Sequence, residues 1–234
     1  MPKKVKIRHA TLKDLPEIIR VEKEAWPEGI EATDAMFRSR IKTYPEGVFV
    51  AIFEKKIVGV VAFQLIDYDP ENPPPTWNAA TDNGMIKNSH NPKGETVFGI
   101  DLTAAPDAPR GTGNRLLVEV GRQAIIKNLK RGVLGGRLPK YYKYADKMTP
   151  EEYLKARDEA GRFLDPEVRF YRRAGLEIGK ILPEYMHDDP DSLNYGVQLI
   201  WTNPFYAKHR IWRPFKVFIG RLLFPIYFRS IGEG

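Results

Sequence analysis

The chain has 234 residues, of which 42% are apolar and 12% aromatic. This composition can bury a hydrophobic core, so it excludes a wholly disordered chain and suits one large domain, alone or with an extension. The absence of cysteine excludes a disulfide scaffold, a thiolate zinc site and a cysteine nucleophile, and favours a cytoplasmic protein. Residues 1–5 lack the apolar stretch of a signal peptide, and no run of about 18 apolar residues predicts a membrane-spanning helix.

The positive charge of the chain is concentrated at its C-terminal end. The net charge is +7, and residues 203–234 contain six Lys and Arg and one Glu. The +5 of this segment leaves only +2 for residues 1–202. Nucleic-acid binding by the main body is therefore not expected, because it requires a basic face.

Hydrophobic patterns predict strands and helices from Val5 to Trp201. Short apolar or alternating runs predict strands over residues 5–8, 48–53, 57–63, 96–104, 133–134, 176–182 and 195–201. Apolar residues at helical spacing, often preceded by a capping residue, predict helices over residues 14–25, 33–42, 113–129, from 149, and 165–174.

Residues 67–94 fit neither pattern. They are rich in Pro and Asn and show no periodicity. A segment of this length inside a compact domain is usually a functional lid or disordered, and we expect one of these two.

A glycine-containing loop lies between the strand at 96–104 and the helix that follows. Gly111 and Gly113 have no Cβ, so a ligand can approach the backbone closely. The N–H groups at the start of the helix, together with its dipole, favour an anion there, and Arg110 and Arg115 add cationic donors. The spacing matches neither a Walker P-loop nor a dinucleotide-binding fingerprint. A tight turn without a ligand is the alternative interpretation.

Two separated motifs resemble those of the GNAT superfamily of N-acyltransferases. Residues 110–115, Arg-Gly-Thr-Gly-Asn-Arg, resemble its coenzyme A loop, Arg/Gln-x-x-Gly-x-Gly/Ala. Residues 170–176, Phe-Tyr-Arg-Arg-Ala-Gly-Leu, resemble its Phe-Tyr-x-x-x-Gly-Phe motif. The predicted element order also matches that family from Val5 to Trp201. Residues 77, 81–84, 137–139 and 148–153 are similar to a narrower group, GNAT modules that occur alone or fused to a carbon–nitrogen hydrolase.

The resemblance implies a fold, an activity and a co-substrate. The fold is α/β, with a central, mostly antiparallel mixed sheet flanked by helices. It would occupy residues 1–202, with a loop insertion at 67–94 and a helical insertion at 138–164. The activity is transfer of an acyl group from acetyl-CoA or another acyl-CoA to a primary amine, such as a small amine or amino acid, by direct attack. No metal is expected, because the histidines lack metal-ligand spacing.

The resemblance also assigns site residues. Those assigned to the coenzyme are Leu102, Thr103, Ala104, Arg110, Gly111, Thr112, Gly113, Asn114 and Arg115. Arg115 stands where the family has a small residue, so it either crowds the diphosphate or reaches the 3′-phosphate.

Candidates for proton transfer are one tyrosine and two acids. Tyr171 would protonate the leaving thiolate, and the alternative is an ordinary packed aromatic. Asp101 is the first candidate base and Glu95 the second. Asp101 stands among apolar residues, where an acid is costly unless it is paired or functional. A structural carboxylate bound to backbone or to an arginine is the alternative for Asp101, and many members of the family use water instead.

Residues 203–234 extend beyond the family fold and predict a basic amphipathic helix. Apolar residues recur at helical spacing at positions 215, 218, 219, 222, 223 and 226. Pro225 should kink or end the helix. This segment fits an interfacial helix on the inner membrane face, and packing on the domain or on a second subunit is the alternative. A membrane-bound synthase of long-chain N-acyl amines and a non-catalytic acyl-CoA-binding module are the alternative functions.

Overall fold

The computed structural model describes residues 4–232, and seven strands of this part form one sheet. The strands are β1 (Lys6–His9), β2 (Val48–Phe53), β3 (Lys56–Ile66), β4 (Thr96–Ala104), β5 (Arg131–Arg137), β6 (Glu177–Leu182) and β7 (Gly196–Thr202). Their order is β1-β2-β3-β4-β5-β7-β6. Only β4 and β5 pair in parallel, and the other neighbours are antiparallel. The predicted mixed sheet is confirmed.

Helices flank this sheet. In chain order they are α1 (Leu15–Ala25), α2 (Asp34–Thr43), α3 (Trp77–Thr81), α4 (Thr112–Ile126), α5 (Pro150–Lys155), α6 (Pro166–Arg173) and α7 (Arg213–Gly232). Their N-termini follow the capping signals in the sequence. Thr149 and Glu152 form a reciprocal capping box at α5, and the Asp165 carboxylate accepts two backbone N–H bonds at α6. Such caps satisfy the first N–H groups of a helix.

Strands β4 and β5 separate shortly after they meet. Their parallel pairing covers Thr96–Phe98 against Arg131–Val133, and within the described chain it extends no further. Strand β4 also carries a bulge, because Ala62 of β3 pairs with Asp101 while Phe63 pairs with Gly99. Ile100 is the extra residue. From this bulge onward, the edge of β4 that faces β5 is free of strand pairing, which creates a wedge-shaped opening in the sheet.

Strand β5 is longer than the predicted 133–134, because its glycines interrupt the hydrophobic pattern from which a strand is predicted. Glycine weakens a strand pattern unless close packing requires it. At Gly135 a Cβ would lie 2.2 Å from ring atoms of Tyr185, which is buried. The glycine therefore admits this aromatic ring directly against the strand.

The segment 67–94 is folded onto the body. It contains α3, and its Ala80 carbonyl accepts a 2.7 Å hydrogen bond from the buried Gln64 amide. Asn91 N–H donates to the Leu65 carbonyl at 2.7 Å. The expectation of disorder is wrong, since buried polar contacts hold the segment. Its role as a lid stays a prediction.

The C-terminal helix α7 packs on α4 and continues past Pro225, so it does not end there as one alternative predicted. Phe224 is buried and Tyr227 half-buried, and this packing on both sides of the proline offsets a lost backbone hydrogen bond. The side chains of Pro225, Ile226, Phe228 and Arg229 lie outside the described part. Over residues 4–232, we find no helix with the length and hydropathy needed to span a bilayer.

A buried ion pair fixes the loop before β7. The Arg137 guanidinium donates two hydrogen bonds to Asp189, and the two side chains are 9% and 0% exposed. These bonds, working against burial, keep the pKa of Asp189 below its ordinary value. Removing one member of such a pair leaves an uncompensated buried charge.

We predict that Asp189→Ala lowers the free energy of unfolding by about 3–5 kcal/mol. Glu24→Ala is the matched control, because it removes an exposed ion pair with Arg20 that should contribute below about 1 kcal/mol. Urea denaturation of both variants measures the difference. Equal losses would show that the buried pair does not stabilise the fold.

Candidate active site

A cavity of about 600 Å³ occupies the opening between β4 and β5. Its walls include β4 residues between Val97 and Ala104, the β5 segment 132–135, and the inner side of α4 from Gly113 to Ala124. At 1.5 Å per residue, this helix wall is about 16 Å long. The cavity is therefore an elongated slot that begins beside the first turn of α4.

The first turn of α4 is built to receive an anion. Gly111, at the N-cap, has φ +82°, and no described side chain caps this end of the helix. The Thr112 hydroxyl donates back to the Pro109 carbonyl at 2.6 Å and holds the turn. Arg110 and Arg115 are exposed beside it, and neither forms an ion pair with another described residue. The free N–H groups and the helix dipole favour a phosphate here.

The predicted coenzyme residues fall into two groups. Leu102, Thr103, Ala104 and Gly113 line the slot. The remaining ones do not line it and belong to the loop and first turn of α4, and they are Arg110, Gly111, Thr112, Asn114 and Arg115. The Thr103 hydroxyl accepts a 2.6 Å bond from the Trp26 indole and donates to Asp101 at 2.8 Å. Its side chain is thus committed to the protein, and its backbone remains for a ligand.

Asp101 lines the slot and is also ion-paired. Its Oδ2 lies 2.9 Å from Arg40 Nη1, and the two side chains are 5% and 0% exposed. The guanidinium also donates to the Gly84 carbonyl at 2.9 Å. The arginine-bound alternative for Asp101 is therefore what the structure contains, although the carboxylate still faces the cavity.

Glu22, on α1, is a second buried carboxylate that the sequence did not single out. Its Oε2 accepts the Ala32 N–H at 3.2 Å, while Oε1 is buried without a hydrogen-bond partner among the described residues. Burial, with the nearby charge of Asp101, raises the pKa of Glu22 to about 8. A group with this pKa can exchange a proton near neutral pH. The available signal was an acid on the apolar face of a predicted helix.

The opposite wall holds Glu167 and Tyr171 of α6. Burial raises the pKa of Glu167 to about 7, partly opposed by Arg137, whose Nη1 lies 3.9 Å away. Burial also raises the pKa of Tyr171, so its phenol stays protonated. The ring packs edge-on against Phe170, with 5.0 Å between centroids, and both residues line the slot.

Glu95 lies away from this arrangement. It is exposed, accepts a 3.0 Å hydrogen bond from the Tyr206 hydroxyl, and does not line the cavity. Glu95 precedes β4, whereas the opening begins beyond Phe98, so its position does not support the prediction of Glu95 as a base. Among the described residues, no group of three or more His, Asp or Glu side chains is placed to hold a metal ion.

Comparison with known proteins identifies the family. No family model matches the chain. The chain is 35% identical over 207 residues to the uncharacterized N-acetyltransferase YkwB of Bacillus subtilis, covering 86% of this chain and 90% of that protein. The chain belongs to the GNAT superfamily of acyltransferases. It is also 34% identical over 215 residues to the probable hydrolase YhcX of the same organism, covering 92% of this chain but 42% of that protein.

A solved GNAT structure also resembles the chain. The GNAT-like decarboxylase GphF, in complex with isobutyryl-CoA, has a TM-score of 0.71 and 26% identity, over 85% of this chain and 99% of that one. Acyl-CoA as co-substrate of a GNAT transferase is thereby supported. Membership of the group fused to carbon–nitrogen hydrolases stays a prediction.

We predict that Glu22 makes stability depend on pH. The folded protein keeps a proton on Glu22 up to about pH 8, whereas the unfolded chain releases this proton at about pH 4.3. Between these values the folded state binds more protons, so the free energy of unfolding falls as pH rises. Glu22→Gln should flatten this fall between about pH 5 and 8 in chemical denaturation, and Glu24→Gln should not. An unchanged slope in Glu22→Gln would contradict the assigned pKa.

Proposed function

We propose that this GNAT protein transfers an acyl group from acyl-CoA to the primary amine of a small cationic acceptor. One observation carries the proposal. A single slot connects the uncapped N-terminus of α4 with the buried carboxylate of Glu22, through the opening between β4 and β5. The two ends of the slot have opposite electrostatic preferences, as a transfer from an anionic carrier to a cationic amine requires.

The coenzyme would lie along β4. Its diphosphate would bind the first-turn N–H groups of α4, with Arg110 and Arg115 near the phosphates. Its pantetheine amides would pair with the backbone of Leu102–Ala104, on the strand edge that lacks a β5 partner. The thioester would then reach the bulge at Ile100. Beyond the bulge, the lining is formed by Val97, Ala124, Gly132 and Trp201, an apolar space for the acyl group.

The acceptor would enter from the side of Glu22. Acidic side chains dominate the polar lining there, and they are Glu22, Glu31, Asp101, Glu167 and Asp188. Arg40 and Arg137 are each already paired with an aspartate. These acids, with Glu22 ionised above about pH 8, attract an ammonium group and repel a carboxylate on the acceptor.

The reaction needs no covalent enzyme intermediate. The ammonium form of the acceptor gives one proton to the ionised Glu22, and the lone pair of the resulting amine attacks the thioester carbon. The N–C bond forms, the C–S bond breaks, and the second proton of the nitrogen passes to the departing sulfur, so the coenzyme leaves as a thiol. Tyr171 donates a hydrogen bond to that sulfur, because its raised pKa favours holding the phenolic proton over releasing it. Asp101, held by Arg40, supplies the charge that keeps the proton affinity of Glu22 high.

Coenzyme binding is tested by adding one negative charge at the helix start. A Cβ at Gly113 would meet Phe170 only at 3.6 Å, and an acid in the first turn suits a helix, so Gly113→Asp should fold. We predict that it weakens CoA binding at least about tenfold in calorimetry, because the carboxylate repels the diphosphate. Ala35→Asp, at the equivalent position of α2, is the control. Unchanged affinity in Gly113→Asp would exclude this coenzyme site.

The proton acceptor is tested by pH–rate profiles. In the parent enzyme, kcat/KM should rise with pH and level off near about 8. Glu22→Gln should lower kcat by about 10²-fold to 10⁴-fold, which is the usual size of a general-base effect. The substitution should also remove this inflection. Because amine deprotonation also raises rates at high pH, the loss of the inflection is the decisive result. A Glu22→Gln enzyme with the parent profile would remove Glu22 from the mechanism.

Tyr171 is tested separately from binding. Tyr171→Phe should lower kcat about 10-fold to 100-fold while coenzyme affinity stays unchanged, since only the leaving sulfur loses a hydrogen bond. Tyr142→Phe, at a 47% exposed side chain, is the control.

Coenzyme binding without turnover in the parent protein, across a broad amine panel, would instead favour a non-catalytic acyl-CoA-binding module.

A second candidate is decarboxylation of an acyl-CoA that carries a terminal carboxylate. The likeness to the GNAT-like decarboxylase favours it, and the unpartnered, buried Nη2 of Arg40 is a cationic donor near the slot. In this reaction the C–C bond breaks, carbon dioxide leaves, and a proton replaces it on the acyl group. Formation of acetyl-CoA from malonyl-CoA without any amine would place this reaction first.

A further inference from the structure

Helix α7 has apolar residues on two opposite faces. One face contacts the body. Phe224 is buried, and a Cβ at Gly220 would lie 2.6 Å from the Ile125 side chain of α4. The other face points away from the protein. Its large apolar side chains, with their exposed fractions, are Phe215 (57%), Phe218 (65%) and Leu222 (66%). Ile211, 83% exposed, lies in the short 3-10 turn that precedes the helix.

The outward residues form one stripe. Within α7, positions 215, 218 and 222 are spaced by three and four residues, close to the 3.6-residue helical turn, so these side chains lie above one another. Trp212, 59% exposed, stands beside the start of the stripe. The surfaces of monomeric soluble proteins rarely carry contiguous patches of large apolar side chains. A patch of this kind indicates an interaction site.

The charges around the stripe have one sign. From residue 203 to residue 232, the sequence contains six Lys and Arg and no Asp or Glu. Lys216 and Arg221 are exposed, and on a helical wheel they fall on opposite sides of the stripe. Long basic side chains in this position can place their methylenes along the apolar surface and their charges at a polar boundary.

We propose that α7 binds in the plane of an anionic phospholipid bilayer, with the stripe of residues 215, 218 and 222 in the acyl boundary. The flanking bases would meet anionic headgroups, where each contributes to binding. A twofold contact between copies of the chain fits less well, because each α7 would bring its bases against the same charges of the other copy. Nucleic acid would satisfy the bases but leave the apolar stripe in water.

This binding mode would orient the enzyme. Helix α7 lies on α4, and another side of α4 forms a wall of the slot. The α4 side of the protein would therefore face the membrane. The inference does not depend on which acyl group or acceptor the enzyme uses.

The test is co-sedimentation of the full chain with vesicles. Vesicles of phosphatidylcholine alone are compared with vesicles containing phosphatidylglycerol, at low and high salt. We expect binding to the anionic vesicles that weakens with salt, because surface charges are screened. Equal binding to both vesicle types, or none to either, would overturn the proposal.

Two variants separate the apolar and the charged contributions. Phe215→Ser with Phe218→Ser and Leu222→Ser should lower vesicle binding at least about tenfold. Lys208→Gln with Arg221→Gln should lower it about thirty-fold, at about 1 kcal/mol per base. The matched control changes three exposed apolar residues elsewhere, Leu12, Tyr142 and Leu193, to Ser, and it should bind like the parent.

Fold and assembly are measured on the same samples. Coenzyme affinity and thermal stability should be unchanged in each variant, which shows that a loss of vesicle binding is not unfolding. Light scattering then tests the alternative occupant. A parent dimer that the triple Ser variant converts to monomer, without vesicle binding by either, would assign the stripe to a second copy. Retention of vesicle binding by the triple Ser variant would equally contradict the proposal.

Discussion

The site depends on the early separation of β4 from β5. The two strands pair over three residues each, while the other edges of both strands remain in the sheet. Beyond Phe98 the opening is lined by Ile100, at the bulge of β4, and by Gly132 and Gly135 of β5. The result is a backbone edge exposed inside the protein. Unpaired backbone groups in such a place favour a ligand that carries its own amides.

The buried charges beside the slot also include polar atoms without hydrogen-bond partners. Folding places Glu22, Arg40 and Asp101 together, yet leaves one oxygen of Glu22 and one nitrogen of Arg40 without hydrogen-bond partners among the described residues. An unsatisfied buried polar atom costs about 1–3 kcal/mol. A structural cluster would be expected to satisfy both atoms. Their position beside the slot instead fits groups that are completed by the reactants. Burial, together with the nearby charge of Asp101, raises the pKa of Glu22 in this environment.

The structural features that the sequence could predict are local ones. The glycine loop, the helix caps at Thr149 and Asp165 and the limits of β4 depend on neighbours within a few residues, and they were predictable. The surroundings of Glu22 were not, because the charges near it, Arg40 on α2 and Asp101 on β4, are distant in the sequence. The length of β5 was underestimated, because Gly135 packs against Tyr185, which is distant in the sequence. The tail helix was predicted with one apolar face, and its second, body-facing side became visible only with α4 in place.

The central claim is that the opening between β4 and β5 holds the pantetheine arm of acyl-CoA. The most direct measurement is a crystal structure with a ketone analogue of acetyl-CoA, in which the carbonyl cannot be transferred. The account predicts the arm between Leu102–Ala104 and the 134–137 segment of β5, the diphosphate at Gly111–Arg115, and the carbonyl at the bulge of Ile100. A coenzyme bound elsewhere, with the opening between the strands still empty, would contradict it.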